Sequence, residues 1–444
     1  MRFSTAFPLA LLLLSSGCNY VPDWLGGGGT PEKKLEGNRF AVIAGEDAIV
    51  ANKEAQEMPV FLPDPVQNAQ WRTINDAMEA GSLAFAAARK ADWDETTSAS
   101  VGEGEDFAQG MAPAPVIAGG KIFAMDASGA ISAHDAKTLQ TVWENTRAVE
   151  AEEQLILGGG LHIMGETLYV STGYGRLLAM DVGSGKTHWK ATVGAPVRGA
   201  PAVAEGRVIV QTADNQTLAF DAGSGTPQWQ HRGIRENAGY FSMISPVVSE
   251  GVVVSAYSSG ELFGLRLETG TPIWADSLVV SNRTSAAASF SGINANPIVQ
   301  EGVVYAGSSG GVMIANALLN GRGLWQNDLS THTTPWSAGG LLFTLSANQE
   351  LLAIVKRDGR VRWVQSLRDN SLPNYKTPVA LFAPVLLGNT VVVLNAEGEA
   401  FRFDAGSGKP LPSVDTGVDA ASAPIVANGA LYVMDRHATL HRFE

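Results

Sequence analysis

The sequence is poor in cysteine and in clustered positive charge, and both shortages limit what the protein can do. One cysteine, Cys18, stands among 444 residues, so an intramolecular disulfide and a catalytic or metal-binding pair of thiols are excluded. No run of Lys and Arg is longer than a pair, and the formal net charge is −13. Nucleic acid and anionic lipid surfaces attract basic patches, so we expect neither as a partner.

Short motifs of enzyme chemistry are also scarce. The sequence contains neither HExxH nor CxxC, and its seven histidines are spread along the chain. We therefore predict no catalytic, cofactor-binding or metal-binding residues. Because catalytic groups can be assembled in space without a local motif, this scarcity favours a binding function without excluding an enzyme.

The first residues resemble a bacterial lipoprotein signal. In "MRFSTAFPLALLLLSSGC" one Arg precedes an apolar run, which is too short to span a bilayer, and small residues lead to Cys18. We expect residues 1–17 to be cleaved and Cys18 to be lipidated; the alternative is an ordinary secretory signal with an incidental cysteine. Asn19 is not the Asp that retains such lipoproteins in the inner membrane, so we expect a lipid anchor in the outer membrane, facing the periplasm.

A flexible linker is predicted for residues 18–62. It contains "GGGG" at 26–29 and "PEKK", with few apolar runs. As a flexible coil it would span roughly 35–40 Å from end to end, enough to hold a folded body away from the membrane.

The segment "AMDVGSGKTHWK" at 179–190 raises the question of nucleotide binding. Gly183-Ser184-Gly185-Lys186-Thr187 matches the end of a phosphate-binding loop, but the earlier glycine is replaced by Met180. Related segments recur as "DAGSGTPQW" at 221–229 and "DAGSGKPLP" at 404–412. A recurring segment belongs to a repeat, so we interpret it as a hairpin turn whose glycine reaches positive φ.

Five copies of the repeat share one spacing. In each, a Trp follows a Pro by 28 residues, and a Gly follows the same Pro by five. The pairs are Pro115 and Trp143, Pro201 and Trp229, Pro246 and Trp274, Pro297 and Trp325, and Pro335 and Trp363. Weaker copies at 161–189, 383–412 and 423–444 bring the total to eight.

Each copy predicts four short antiparallel strands, because apolar runs alternate with Gly, Asn and Asp turns. Such units stack as the blades of a propeller, so we predict an all-β, eight-bladed β-propeller over residues 63–444. The recurring Trp is expected to pack between neighbouring blades. The last copy lacks its fourth strand, and we expect residues near Trp93 to supply it and close the ring.

The repeat pattern A-P-V-x3-G-x-V-Y…G-x-L-x-A-x-D-x3-G-x3-W resembles that of pyrroloquinoline-quinone propellers. Two families carry it: the quinoprotein dehydrogenases and the outer-membrane lipoprotein BamB of the β-barrel assembly machinery. With the lipoprotein signal, "NAQW" (68–71) and "ADWDETTSASVGEGE" (91–105), the chain is more similar to BamB. That resemblance implies a scaffold, monomeric within a hetero-complex, that binds the periplasmic domains of BamA and aids insertion of outer-membrane proteins, with their unfolded chains as further partners.

The resemblance also implies where the partner binds. In the family, the contact with BamA uses a Leu-x-Leu-Arg stretch and an acidic pair on two successive inter-blade loops. The matching loops here are 230–245 and 276–296, and neither motif is preserved. We expect Arg235 to supply the cation and Tyr240 and Phe241 the apolar anchors, with Asn294 near one acidic position; the alternative is that these are ordinary loop residues without a partner. The alternatives are a periplasmic quinoprotein dehydrogenase or another periplasmic binding propeller.

Overall fold

The computed structural model of the chain describes residues 49–73, 79, 81–104, 113–146, 158–235, 244–279, 292–368 and 379–444. These residues belong to one compact unit, Ala48–Glu444. In this part of the chain no helix is both long and apolar enough to cross a membrane. The strands form eight four-stranded antiparallel sheets, which confirms the predicted eight-bladed propeller.

The blades follow one another along the chain, each running from its innermost to its outermost strand. Blade 1 comprises β2 (Val116–Ala118), β3 (Lys121–Met125), β4 (Ile131–Asp135) and β5 (Thr141–Asn145). Blade 2 comprises β6 (Gly159–Met164), β7 (Thr167–Thr172), β8 (Arg176–Asp181) and β9 (Thr187–Thr192). Blade 3 comprises β10 (Ala202–Ala204), β11 (Arg207–Gln211), β12 (Gln216–Asp221) and β13 (Pro227–Arg232). Blade 4 comprises β14 (Val247–Ser249), β15 (Val252–Ala256), β16 (Glu261–Arg266) and β17 (Pro272–Ser277).

The second half repeats this order, and the last blade takes its outer strand from the other end of the chain. Blade 5 comprises β18 (Ile298–Gln300), β19 (Val303–Gly307), β20 (Met313–Ala317) and β21 (Gly323–Asn327). Blade 6 comprises β22 (Trp336–Ala338), β23 (Leu341–Leu345), β24 (Glu350–Val355) and β25 (Val361–Ser366). Blade 7 comprises β26 (Val385–Leu387), β27 (Thr390–Leu394), β28 (Glu399–Asp404) and β29 (Pro410–Asp415). Blade 8 comprises β30 (Ile425–Ala427), β31 (Ala430–Met434), β32 (Thr439–Phe443) and β1 (Glu95–Ser100).

Burial along the strands explains the hydrophobic pattern. The second strand of a blade, such as β15, is buried at every residue because neighbouring blades cover both of its faces. The outermost strand, such as β9, alternates between half-buried and exposed residues. The core therefore lies between the blades, and the outermost strands form the rim.

The recurring Trp joins each of blades 1–6 to the next blade, as the sequence predicted. Its indole N–H donates to a main-chain carbonyl of the following blade, at distances from 2.6 to 3.0 Å. Its ring covers a glycine in that blade's last turn, where an added Cβ would come within 2.3–2.7 Å of the ring. These glycines have φ of +67° to +73° and are Gly185, Gly225, Gly270, Gly321, Gly359 and Gly408. We call each such contact a Trp joint.

The turn at Gly183–Gly185 is one of these glycine turns. The Asp181 carboxylate accepts hydrogen bonds from the Ser184 amide and hydroxyl, and strand β9 follows. A phosphate loop needs a helix after it, so the hairpin interpretation is confirmed and nucleotide binding has no support here.

The ring is closed by β1, which pairs antiparallel with β32, as we expected for residues near Trp93. The joints on either side of blade 8 lack the Trp. Between blades 8 and 1, the Tyr432 hydroxyl donates to the Ala136 carbonyl at 2.7 Å. Next to blade 7, the buried Arg402 donates to the carbonyls of Ala88 and Lys90. We call these two junctions the seam.

Residues 49–62 fall within the segment predicted to be a flexible linker, yet the structure places them against blade 6. The short helix α1 (Lys53–Glu57) is capped by Asn52, whose amide donates to the Val361 carbonyl at 2.8 Å. Arg362 donates to the carbonyls of Ala55 and Met58. These partners lie some 300 residues away in sequence, so composition alone could not indicate them. A 3₁₀ helix, Ala86–Arg89, then leads towards β1.

Candidate partner-binding face and central channel

Inter-blade connections lie together on one face of the ring. In a four-stranded meander, the connection to the next blade leaves on the same side as the turn between the second and third strands. Bridges between Val197 and Thr212 and between Thr331 and Ser346 join such connections to such turns. We call this side the loop face. Both loops that the sequence assigned to a partner, 230–245 and 276–296, begin and end on it.

The first loop begins with an exposed apolar residue that sequence reasoning did not single out. After β13, Ile234 is 62% exposed and Arg235 is exposed beside it. The Ile234 amide donates to Glu261 Oε2 at 2.6 Å, and its carbonyl accepts from Asn215 Nδ2 at 2.8 Å. The main chain is thus held on both sides, while the side chain faces solvent. An exposed Ile beside an exposed Arg offers a partner an apolar and a cationic contact.

The second loop also begins with an exposed apolar residue. Val279 is 44% exposed and follows the buried Leu278. At the other end, Asn294 is half-buried and donates to Ser309 Oγ at 3.0 Å. Its Oδ1 is buried and has no hydrogen-bond partner among the described residues. Asn294 therefore packs into the base of the loop, whereas Val279 is presented outwards.

The remaining predicted site residues lie outside the described residues. Tyr240 and Phe241 fall in 236–243, and Cys18 falls in 1–48. The structure thus describes two of the four predicted contact residues, Arg235 and Asn294. It brings both to the loop face, on connections that leave and enter blade 4.

A buried polar network supports the root of the first loop. The Tyr257 hydroxyl contacts Thr217 Oγ1 at 2.8 Å and His231 Nδ1 at 2.9 Å, and the two rings stack at 6.0 Å. Burial raises the pKa of the Tyr257 hydroxyl and lowers the pKa of His231, although the Glu261 carboxylate partly opposes the latter shift. The network is therefore uncharged near neutral pH and forms a firm base beneath Ile234.

A central channel runs along the axis of the ring and encloses a cavity of about 340 Å³. Its wall consists mainly of small and apolar residues at the innermost strands, among them Pro115, Gly160 and Pro201. Trp71, which is 5% exposed, also lines it; Trp71 pairs with Ile117 of β2 through two main-chain hydrogen bonds of 2.8 Å.

The channel lining does not suit a calcium-bound quinone. Calcium prefers carboxylate and carbonyl oxygens, and no Asp or Glu belongs to the described lining of the cavity. Over the described ranges, no group of three or more His, Cys, Asp or Glu side chains could hold a metal ion. The ionisable groups present are Arg72 and His162, a cation and an imidazole, and the other polar side chains, such as Asn296 and Thr334, carry no charge. The donor set therefore disagrees with the cofactor chemistry of the dehydrogenase alternative.

His162 is the most perturbed titratable group in the channel wall. It is 6% exposed, and burial, with the Arg72 cation nearby, lowers its pKa to about 4. Only the Pro201 carbonyl acts in the opposite direction. His162 is therefore neutral at neutral pH and adds no charge to the channel.

One G-x-S-x-G spelling does occur, at 307–311, and the structure gives it a structural role. Ser309 lies in the turn between β19 and β20, and its hydroxyl donates to the Gly292 carbonyl at 3.2 Å. A nucleophile elbow needs a strand, a sharp turn and a helix, whereas here a strand follows. The residues of this motif therefore form a structural turn on the loop face.

Comparisons with known proteins agree on the fold. A family model described as "Outer membrane protein assembly factor BamB" matches residues 127–365. The protein of that name from Yersinia pestis is 26% identical over 356 residues, covering 78% of this chain and 87% of the relative. The crystal structure of BamB from Moraxella catarrhalis superposes with a TM-score of 0.66 at 19% identity, covering 79% of this chain and 99% of that chain.

A quinoprotein enzyme shares the architecture. The quinohemoprotein alcohol dehydrogenase from Comamonas testosteroni superposes with a TM-score of 0.62 at 15% identity, covering 85% of this chain and 81% of that chain. At these identities the structural likenesses show the fold alone. The match of the family model over more than half of the chain is the observation that separates the two alternatives.

Proposed function

The chain belongs to the family of outer membrane protein assembly factor BamB, and on that premise we propose that it is a non-catalytic scaffold of the β-barrel assembly machinery. In this role it binds the periplasmic domains of BamA and aids the folding and insertion of outer-membrane proteins. The single observation that carries the proposal is the family match over residues 127–365. Unfolded outer-membrane proteins are its further partners.

The proposed location is the periplasmic face of the outer membrane. Lipidation of Cys18 after removal of residues 1–17 would anchor the chain there. Residues from 18 to about 48 would then form the tether, since residues 49–62 contact blade 6 in the structure.

The proposed BamA-binding surface is the part of the loop face around blade 4. Ile234 and Arg235 follow each other in the order of the second Leu and the Arg of the family stretch, and Val279 adds an apolar residue on the next loop. Tyr240 and Phe241, which lie outside the described residues, are proposed as further apolar contacts, and Asn294 lies near the end of the second loop. Exposed apolar side chains beside a cation fit a partner that presents an apolar patch with a carboxylate at its edge.

The test is recovery of BamA with the lipidated protein, purified from native membranes after mild crosslinking. We expect BamA in the sample, and less of it after Arg235→Glu, after Tyr240→Ala with Phe241→Ala, or after Ile234→Asp. The matched control is Leu319→Asp, because Leu319 is similarly exposed at 58% but lies in the turn between β20 and β21, on the opposite face. Recovery of BamA with every variant would leave the partner in place and remove the proposed surface; absence of BamA would remove the scaffold proposal.

The dehydrogenase alternative shares the fold and predicts a different result. A quinoprotein enzyme would show calcium-dependent quinone absorbance and dye-linked oxidation of alcohols or sugars. We expect neither, because the described lining of the channel offers no carboxylate to calcium.

A further inference from the structure

The starts of the two proposed partner loops are hydrogen-bonded to one element. It consists of the turn between β15 and β16 together with the first residue of β16. We call this element, Tyr257–Glu261, the blade-4 bracket. The Ile234 amide donates to Glu261 Oε2 at 2.6 Å at the start of the first loop. The Leu278 amide donates to the Gly260 carbonyl at 2.9 Å at the start of the second loop. The main chain at Ile234 and at Leu278, which precedes Val279, is therefore held by the same five-residue element.

Asn215 ties this bracket to blade 3. It is 1% exposed, and its φ of +58° lies in the left-handed region that Asn tolerates. Its Nδ2 donates to the Ile234 carbonyl, and its Oδ1 accepts from the Ser258 amide at 3.1 Å and hydroxyl at 3.0 Å. One side chain thus connects the root of the first loop with the bracket, across the boundary between two blades.

The same turn position in other blades shows what is particular here. Blades 2, 4 and 7 have Gly175, Gly260 and Gly398 there, all at positive φ, so the backbone geometry needs no side chain. Blade 6 has Gln349 at φ +57°, and its side chain donates to the Val379 carbonyl of the next connection. Asn215 and Gln349 are therefore a matched pair, each holding the connection that leaves its own blade.

We propose that Asn215 and Glu261 are positioning residues for partner binding, which set the two loop roots in one register without touching the partner themselves. This inference rests on the proposed function. Glu261 fixes the amide of Ile234 and Asn215 fixes its carbonyl, so the apolar side chain is presented before the partner arrives. A surface that is already ordered loses less conformational entropy on binding. Removal of either side chain should therefore weaken binding although the contact residues are intact.

The experiment measures the affinity of the purified chain for the purified periplasmic domains of BamA from the same organism by calorimetry. We expect Asn215→Gly, which keeps the positive φ, and Glu261→Ala to weaken binding by roughly fivefold to tenfold. Glu261→Gln retains an acceptor oxygen and should restore most of the affinity. Gln349→Gly is the matched control at blade 6 and should change the affinity by less than about twofold.

Three results would overturn the inference. Wild-type affinity in both Asn215→Gly and Glu261→Ala, alongside a loss in Ile234→Asp, would show that the contact residues act without positioning. Equal losses in Gln349→Gly and Asn215→Gly would show a general effect on the ring. If Ile234→Asp also binds normally, the proposed surface fails and this inference fails with it. Should Glu261→Ala not fold, Asn215→Gly against Gln349→Gly carries the same comparison.

Discussion

The six Trp joints and the seam both hold neighbouring parts of the ring together, but they use different side chains. At a Trp joint, one indole covers a glycine of the next blade and donates to its backbone. At the seam neither β29 of blade 7 nor β1 of blade 8 has a Trp, and blade 1 has Leu139 at φ +55° where blades 2–7 have glycine. The absence of Trp from β1 and the presence of Leu139 belong to one junction, because a Trp in β1 would lie against this turn of blade 1. Tyr432 and Arg402 supply the missing backbone contacts with polar groups.

This difference shows which part of the ring needs the repeated Trp and glycine. Within the continuous part of the chain, one joint can be copied from blade to blade. In blade 8 the third strand, β32, and the fourth strand, β1, come from distant parts of the chain, so no turn joins them. The N-terminal segment then contributes the carbonyls of Ala88 and Lys90 to Arg402.

We expect the largest loss of stability when the Trp of a regular joint is removed. Trp274 is 7% exposed and donates to the Leu318 carbonyl at 2.6 Å. Trp274→Ala should lower the free energy of unfolding by about 4 kcal/mol, because a large buried ring is lost and a cavity remains. Urea denaturation measures this, with Ile273→Ala on the exposed side of the same strand as the control. Similar losses in both variants would contradict the joint as a major source of stability.

The next effect separates contact from backbone conformation. Gly225 and Gly206 have almost the same φ, +71° and +72°, but only Gly225 lies under a Trp. Gly206→Ala should cost about 1 kcal/mol in unfolding free energy from the left-handed backbone alone. Gly225→Ala should lower the free energy of unfolding by about 2 kcal/mol more than Gly206→Ala does. The reason is that the added Cβ would come within 2.5 Å of the Trp189 ring of blade 2. Equal losses of unfolding free energy in the two variants would mean that the Trp189 indole moves aside at no cost in free energy, and would contradict this prediction.

Acid should lower the free energy of unfolding through His162 in the channel wall rather than through the Trp joints. The folded state holds the pKa of His162 at about 4, below its ordinary value of 6.5, so the unfolded chain binds more protons in between. This contribution to stability is present above pH 6.5 and is lost as the pH falls towards 4. His162→Gln should therefore lose about 2 kcal/mol less than the wild type between pH 7 and pH 5. Urea denaturation at the two pH values tests this, and parallel losses in both proteins would refute it.

The smallest effect tests the seam. Tyr432→Phe removes the hydroxyl that donates to the Ala136 carbonyl and should lower the free energy of unfolding by about 1 kcal/mol. Tyr169→Phe, whose hydroxyl bonds the Ala222 carbonyl within a regular joint, is the comparison. Because Trp189 also donates to that carbonyl, the loss there should be smaller. A larger loss in Tyr169→Phe would contradict the assignment of Tyr432 to the seam.

The fold was predictable from sequence because it repeats. The fixed distance from Pro to Trp and the glycine turns report local geometry, so eight blades and the closing strand could be derived. The placement of residues 49–62 could not, since Asn52 and Arg362 are each ordinary until the fold brings them together.

The site was predictable only in part. The loops could be placed, and with them Arg235 and Asn294, because their positions follow from the order of the blades. Ile234 was missed because exposure of an apolar residue depends on what surrounds it in three dimensions. The roles of Asn215 and Glu261 depend on hydrogen bonds between blades, which no local pattern encodes.

Site-specific photocrosslinking in cells tests whether the loop face around blade 4 meets BamA, as we propose. A photoreactive residue would replace Ile234 or Val279 on that face, and Leu319 or Ile273 away from it. We expect a crosslink to BamA from positions 234 and 279 and none from positions 319 or 273. Crosslinks from 319 or 273 alone, or from all four positions alike, would contradict it.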